Sequence, residues 1–382
     1  MYRYLVIVLL CLGGVAAFAA TTTVTLNGKT VTVPVVEVNG KAFIDAVALM
    51  KLLGGSAYYS ATAHKLVLST TPAPPSGGSS SAAASGTPQL PGPDGSFGAI
   101  YAMGKTNPLY FSLKSAEYTT VPLVIGDSIY APTADEKLLV LHFTVQNPQK
   151  EDLFVRYDSL KMTGVDAADV NHEGIEDWGD ADSHKSVSLN LKPAQRLSVY
   201  TALKVPAKGI VPKLIIQPGD GPVLRFDLHG KVTGIPAPIA DPSDTTGATA
   251  LTTVPAQLNT AYPGANFSFR VEKFDYTSNA LQGDAPEDGA RYLVATMMIK
   301  NLSPRPAFLR YDTLAPELTT VGGEECKYHD MLFATSDTAF SQDEKPGQEL
   351  RLRLYFTVPK GVVVKSLILK EGDCRSYEVE VK

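Results

Sequence analysis

KLLVLHFTVQNPQKEDLFVRYD, at residues 137–158, and RYLVATMMIKNLSPRPAFLRYD, at residues 291–312, are two copies of the stretch that decides the fold. Each copy begins with alternating apolar residues, reaches an Asn, crosses a polar loop and ends in Arg-Tyr-Asp. The alternating positions are Leu139, Leu141, Phe143 and Val145, and in the second copy Leu293, Ala295, Met297 and Ile299. A period of two over such a length predicts a strand with one buried face.

The match between the two copies continues downstream, from residues 192–205 to residues 345–358. Each segment opens with Lys-Pro, keeps a Gln, and runs through an alternating strand into Val-Pro. With the turn signals between them, about seven short strands fall in each unit, which is typical of an antiparallel β-sandwich.

Both units resemble a family of secreted bacterial immunoglobulin-like domains of unknown function. The resemblance lies in the strand that leads into Asn147 or Asn301, and in the Pro-Gly-Gln that precedes the late strand. The second unit keeps this triplet at 346–348, whereas the first has Ala194 at the Gly position. The resemblance implies a fold and a location outside the cytoplasm, and it brings no catalytic residues.

The first 70 residues predict export and a small module. One early positive charge, an apolar run over 5–15 and small residues before position 20 predict a secretory signal peptide. Two Asn-Gly hairpins, a helix over 46–53 and a closing hairpin follow. The module resembles the N-terminal domain named after copper amine oxidases, through Asn27-Gly28-Lys29, Asn39-Gly40-Lys41, Leu52-Leu53-Gly54-Gly55 and His64-Lys65-Leu66-Val67-Leu68. This resemblance implies an envelope-associated stalk without copper chemistry.

The predicted fold is therefore mainly β, with two tandem immunoglobulin-like antiparallel β-sandwiches preceded by a small α+β module. The expected organisation is a signal peptide (1–20), the module (21–70), a Pro/Gly/Ser-rich linker (71–97), the first sandwich (98–231), a second linker (232–255) and the second sandwich (256–382).

Composition narrows the class of protein. With 44% hydrophobic and 19% charged residues, the chain is too apolar to be disordered. The net charge is −5 and no basic stripe stands out, so nucleic acid is not an expected partner. Cys326 and Cys374 remain after signal cleavage, and the sequence leaves open whether they pair or stay separate thiols.

An acidic loop in the first unit is the best candidate for metal binding. Its oxygen-bearing residues follow a spacing similar to that of a calcium loop, with Gly174 at the turn. The candidate ligands are Asp169, Asn171, Glu173, Asp177 and Asp180. The second unit lacks this pattern, and we favour the alternative that these residues form a solvated acidic loop. Calcium is the one cofactor that the sequence suggests.

The repeated Arg-Tyr-Asp allows two interpretations. Arg and Asp on one face of a strand would suit a ligand, or they would form an ion pair across strands while the Tyr packs inward. We favour the second interpretation, because residues that maintain a fold outnumber sites on sandwich strands. Trp178, in the acidic loop, is expected to plug the end of the sandwich rather than to stack on a sugar or a partner.

No nucleophile elbow, phosphate loop or dinucleotide fingerprint is present in the sequence, so we do not expect an enzyme. The expected function is binding or scaffolding at the bacterial cell envelope, in a secreted or envelope-associated protein without a membrane span after signal cleavage. The expected partner is an envelope component or another exported protein. Two alternatives remain: a secreted hydrolase or enzyme accessory that uses the acidic loop, and a periplasmic carrier of a small ligand or ion.

Overall fold

The computed structural model describes the strand residues 19–26, 29–38, 41–44, 56–60 and 65–69, and residues 92–381. It divides the chain into two compact units, residues 1–87 and 88–382. Several predicted features lie outside the described residues: the signal peptide up to residue 18, both Asn-Gly turns, the helix over 46–53 and most of the linker 71–97.

The first unit contains three of the predicted hairpins. Strands β1 (Ala19–Leu26), β2 (Lys29–Val38) and β3 (Lys41–Ile44) form an antiparallel sheet, and β4 (Ser56–Ser60) pairs with β5 (Lys65–Ser69). Leu26 pairs with Lys29 and Val38 with Lys41, so two residues connect each pair of strands. The hairpin predictions are confirmed.

The second unit begins with a sandwich of two main sheets. Its strands are β6 (Asp94–Gly95), β7 (Tyr101–Met103), β8 (Leu109–Thr119), β9 (Leu123–Ile125), β10 (Ser128–Tyr130), β11 (Glu136–Gln146), β12 (Leu153–Arg156), β13 (Leu160–Val165), β14 (Asn171–Glu173), β15 (Gly179–Asp180), β16 (Ser188–Leu191), β17 (Arg196–Pro206), β18 (Lys213–Pro218), β19 (Leu224–Asp227) and β20 (Val232–Thr233). One sheet has the order β15-β17-β11-β8-β20, with β7 also on β8, and the other the order β14-β13-β18-β19-β6. Two-stranded ribbons β9–β10 and β12–β16 flank them.

A second sandwich follows in the same unit. Its strands are β21 (Thr253–Ala256), β22 (Tyr262–Pro263), β23 (Phe267–Thr277), β24 (Ala290–Asn301), β25 (Ala307–Leu309), β26 (Glu317–Thr320), β27 (Glu325–Cys326), β28 (Tyr328–Phe333), β29 (Gln342–Glu344), β30 (Glu349–Pro359), β31 (Val364–Lys370) and β32 (Ser376–Glu380). The sheets are β22-β23-β24-β30-β28 and β21-β32-β31-β26-β27, with a ribbon β25–β29. The neighbours of β24 and β31 thus correspond to those of β11 and β18.

The predicted inward faces of the doubled stretch are buried. Leu139 and Leu141 are 0% exposed on β11, and they share a core with Leu214 from the opposite sheet. The corresponding residues of β24 lie in the core of the second sandwich. Trp178 is 1% exposed and its ring lies edge-on to Phe143, with 5.0 Å between centroids, so its predicted role as a plug is confirmed. The structure is mainly β, as predicted.

The segment between the sandwiches is packed against the first one through a buried lysine. Lys137 is 0% exposed, and its ammonium group donates hydrogen bonds to the carbonyls of Ala207 (3.3 Å), Gly209 (2.6 Å) and Ala248. It also lies 4.5 Å from the centre of the Tyr118 ring. Because burial disfavours the charged form, the pKa of Lys137 falls to about 8.

A buried arginine joins the second sandwich to the first and to the connecting segment. Arg375 is 2% exposed. Its Nε donates to the carbonyl of Leu251 at 2.9 Å, and Nη1 donates to the carbonyl of Thr133 at 3.2 Å. Nη2 donates to the carbonyl of Glu136. We call this set of contacts the arginine joint, and it links residues far apart in the chain.

The two cysteines of the second sandwich are free and buried. Cys326 lies on β27, and Cys374 lies in the turn after β31, which is two strands away in the sheet. Two strand spacings amount to roughly 10 Å, beyond the reach of a disulfide. The structure therefore holds two separate thiols.

Within residues 92–381 and the described strands before them, no helix has the length and apolar character needed to cross a membrane.

Candidate functional site

The Arg-Tyr-Asp motif forms its ion pair within itself, in both copies. Nε of Arg156 lies 2.6 Å from Oδ1 of Asp158, and Nε of Arg310 lies 2.6 Å from Oδ1 of Asp312. Tyr157, between the paired residues of the first copy, is 38% exposed. The second copy places its tyrosine outward as well, at 49% exposure. The expected ion pair across strands and the expected inward Tyr were both wrong.

The physical reason is that the strand ends inside the motif. A 3₁₀ turn occupies Tyr157–Ser159, directly after β12. The backbone N–H of Arg156 donates to the Ser159 hydroxyl at 3.1 Å, and that of Arg310 donates to the Thr313 hydroxyl at 3.0 Å. Strand alternation stops at this turn, so the Tyr ring is not directed into the core.

The Asn that ends the first long strand fixes the polar loop and the ribbon behind it. Asn147 is 0% exposed. Its Nδ2 donates to the carbonyls of Glu151 (2.7 Å) and Leu191 (2.8 Å), and its Oδ1 accepts from the N–H of Gln149 at 2.8 Å. Because Leu191 belongs to β16, this side chain ties the ribbon to the main sheet.

Asn301 makes the same three bonds in the second sandwich. Its Nδ2 donates to the carbonyls of Arg305 (3.0 Å) and Glu344 (2.7 Å), and its Oδ1 accepts from the N–H of Ser303 at 2.8 Å. The asparagine is thus a structural anchor that sets the position of a two-stranded ribbon in each sandwich.

Each ribbon presents the same kind of exposed face. On β12 and β16, Phe154 pairs with Asn190 and Arg156 with Ser188, and all four are exposed. On β25 and β29, Phe308 pairs with Asp343. The first ribbon surface is defined by Phe154, Arg156, Ser188 and Asn190, and the second ribbon surface by Phe308, Arg310, Ser341 and Asp343.

The recurrence of these exposed residues needs an explanation other than packing. Phe154 is 52% exposed and Phe308 is 54% exposed. Other exposed positions nearby differ between the copies: Asp152 corresponds to Pro306. A core explains why buried apolar residues recur, but not why a half-exposed Phe does.

A cleft of about 300 Å³ adjoins the first ribbon surface. Phe154 and Leu153 contribute apolar atoms to its wall, and Thr106, Asn107 and Ser159 contribute polar ones. This combination of a ring with hydroxyl and amide groups is the usual lining of a small-molecule or oligomer subsite.

The acidic loop crosses from one sheet to the other, which separates the five predicted calcium ligands. Asn171 and Glu173 lie on β14, at the edge of one sheet. Asp180 lies on β15, at the edge of the facing sheet. Asp169 and Asp177 lie in the turns before β14 and before β15.

The carboxylates of this loop have separate local partners. Glu173 pairs with Lys161 at 2.5 Å, Asp169 with Lys213 at 3.5 Å, Asp177 accepts from the Ser186 hydroxyl at 3.0 Å, and Asp180 accepts from the N–H of Ser183 at 2.6 Å. Among the described residues, no group of three or more His, Cys, Asp or Glu side chains is placed to hold a metal. Calcium binding stays a prediction that a titration can decide.

The loop also contains a largely buried hydrogen-bonded pair, His172 and Asp166, that was not predicted from the sequence. Nε2 of His172 lies 2.9 Å from Oδ2 of Asp166, and the two side chains are 17% and 13% exposed. The hydrogen bond from His172 lowers the pKa of Asp166, and the N–H groups of Ala168 and Val170 add to the effect. This pair stabilises the turn that precedes β14.

Comparisons with known proteins found matches among solved structures, each over about a third of this chain. No family model matches the chain. No curated protein matches it either. Among solved structures, an uncharacterized β-sandwich protein from Clostridium difficile is similar with 11% identity and a TM-score of 0.29, over 37% of this chain and 98% of that one. The YjhA protein from Bacillus subtilis has 13% identity and a TM-score of 0.25, over 33% of this chain and 99% of that one. The secreted protein MPT63 from Mycobacterium tuberculosis has 14% identity and a TM-score of 0.27, over 35% and 95%.

The sequence analysis missed the ribbon surfaces. The signal was present: Phe154 and Phe308 stand 154 positions apart, in the same register as the core residues around them. The exposure of these rings could not be inferred from the sequence, because alternation alone does not show which face of a short ribbon is in contact with solvent.

Proposed function

We propose that this protein is an exported, non-catalytic binding or scaffolding protein of the bacterial cell envelope. In this proposal, residues 98–231 and 256–382 are tandem immunoglobulin-like repeats, and each contributes one ribbon surface to partner binding. The N-terminal module acts as an α+β stalk similar to the copper amine oxidase N-terminal domain, after removal of the signal peptide.

One observation carries the proposal: the same exposed side chains occur on the same ribbon of both sandwiches. Phe, Arg, Tyr and Asp recur beside the strand end, whereas other exposed positions differ, such as Asp152 and its counterpart Pro306. Aromatic and Arg side chains are the residue types most enriched in recognition surfaces. A constraint on exposed residues points to a partner rather than to the core.

The ribbon surfaces are also held in a fixed conformation before a partner binds. Asn147 and Asn301 hold the ribbon backbone, and the internal ion pair holds each Arg in place. A surface that is already ordered loses less conformational entropy when it binds. This supports recognition by the ribbons rather than by the acidic loop, whose sequence differs between the sandwiches.

Sedimentation with cell envelopes tests the proposal. Mature chain (residues 21–382) is mixed with envelopes isolated from the source organism, and the pelleted fraction is measured against protein concentration. We expect wild-type chain to pellet and the double variant Phe154→Ala/Phe308→Ala to stay in the supernatant, because each substitution removes the aromatic ring of one surface.

The control is a matched double variant, Ile100→Ala/Val363→Ala. These residues are 55% and 66% exposed, one in each sandwich, and lie outside both ribbon surfaces. We expect this variant to pellet like wild type. The proposed function would be refuted if wild-type chain were absent from the pellet, or if the pelleted fraction fell equally in both double variants.

A further inference from the structure

This inference rests on the proposed function and names the chemical class of the partner. We infer that the two ribbon surfaces bind a repeating polysaccharide without negative charge, one chain of which spans both surfaces.

The charge of the ribbon surfaces disfavours an anionic partner. The guanidinium of Arg156 is compensated by Asp158, and that of Arg310 by Asp312. The second surface adds the exposed carboxylate of Asp343. An anionic polymer would therefore meet no free positive charge from these arginines, and it would be repelled at the second surface.

The remaining groups match the two faces of a sugar ring. An exposed Phe offers a flat apolar surface for the C–H face of a pyranose. On the first surface, Asn190 lies directly across the ribbon from Phe154, and Ser188 lies beside it. On the second surface, Asp343 has the place of Asn190. Amide, hydroxyl and carboxylate groups donate to and accept from sugar hydroxyls.

A protein partner fits these surfaces less well. Stable protein interfaces have an apolar centre within a total buried area of about 1,600 Å². Each ribbon surface has a single Phe among polar side chains, and the exposed ring that follows it, Tyr157 or Tyr311, carries a polar hydroxyl. The adjoining cleft of about 300 Å³ suits one unit of an oligomer rather than a large docking face.

The arginine joint explains why the partner should repeat. It contacts the first sandwich and the connecting segment from the second sandwich, within one compact unit. The separation between the two ribbon surfaces is therefore held by buried hydrogen bonds. A polymer of regularly spaced identical sugars presents the same ring to both ribbon surfaces. Once one surface has bound, the other meets its sugar at a high effective concentration.

The envelope assay can separate carbohydrate from protein as the partner. Three envelope samples are prepared: untreated, digested with proteinase and washed, and oxidised with sodium periodate, which cleaves vicinal diols of sugars. We expect wild-type chain to pellet with untreated and proteinase-digested envelopes, and to lose binding to periodate-treated envelopes.

The outcomes distinguish this inference from the proposed function. Binding to untreated envelopes that is lost after proteinase and kept after periodate would overturn the polysaccharide, in favour of a protein partner, and leave the proposed function standing. No binding to untreated envelopes would overturn both.

The single-site variants test whether one polymer chain spans both surfaces. Phe154→Ala and Phe308→Ala alone should each weaken binding to digested envelopes about 100-fold, because loss of either surface abolishes avidity. Two independent sites would instead lose about half of the binding capacity with little change in affinity. That result would refute the spanning polymer. Ile100→Ala and Val363→Ala alone serve as matched controls.

Discussion

Asn147 offers the sharpest test of how the doubled stretch stabilises the fold. Asn147→Ala removes two hydrogen bonds donated to carbonyls and one accepted from a backbone N–H. Each such bond contributes about 1 kcal/mol net, and leaving the buried carbonyl of Leu191 without its partner adds about 1–3 kcal/mol. The expected loss in the free energy of unfolding is therefore about 4–6 kcal/mol.

Urea denaturation followed by Trp178 fluorescence measures this loss, since the only Trp lies in the core of the same sandwich. The matched control is Asn279→Ala, at an exposed loop position, which should change the free energy of unfolding by less than about 0.5 kcal/mol. A loss below about 1 kcal/mol for Asn147→Ala would refute the role of this residue as an anchor.

Three further predictions follow from the backbone, the buried lysine and the acidic loop. Ala194 has a φ of +62° where the second sandwich has Gly347 at +71°, so Ala194→Gly should stabilise the protein by about 0.5–1 kcal/mol and Gly347→Ala should destabilise it by as much, measured by urea denaturation. The pKa of Lys137 is about 8 when folded and its ordinary value is 10.5, so the unfolded chain binds the additional proton between these values and stability rises with pH there. The free energy of unfolding of wild type relative to Lys137→Met should therefore rise by about 1.5 kcal/mol from pH 8 to 9.5, because the thiols titrate equally in both. Calorimetric titration of the mature chain with millimolar Ca²⁺ should give no binding heat, because the acidic loop spreads its carboxylates over two sheets.

Each of these measurements has an outcome that contradicts its reasoning. A destabilised Ala194→Gly would show that strain at this position is absent. A pH-independent difference between wild type and Lys137→Met would show that the lysine keeps an ordinary pKa. Saturable heat with Ca²⁺, absent in Asp177→Asn, would establish the calcium loop that the spacing suggests.

Much of the core could be predicted from the sequence. Alternation over Leu139–Val145 identified the face that packs against the opposite sheet, because successive strand residues point to opposite sides. The other face is buried as well at Leu138 and Val140, which pack with Ala202. The orientation of the Tyr157 side chain could not be predicted from this alternation. Its outward position depends on a one-turn break in the strand, which is set by the hydroxyl of Ser159 accepting the N–H of Arg156.

The calcium spacing does not by itself bring its residues together, for a related reason. Spacing counts residues along a continuous loop, but at Gly174 and Ile175 the backbone bonds first to Met162 of one sheet and then to Ala202 of the other. The chain thus changes sheets within the apparent motif. Long-range pairing of this kind leaves no local pattern in a single sequence.

The arginine joint sets the order in which the chain can complete its structure. Arg375 lies 242 residues beyond Thr133, whose carbonyl it binds. During synthesis the first sandwich and the connecting segment leave the ribosome long before this guanidinium does. The carbonyls of Thr133 and Glu136 must stay in contact with water or with a chaperone until β32 arrives. Substitution of Arg375 should therefore slow the last step of folding, and leave the earlier collapse of the first sandwich unchanged.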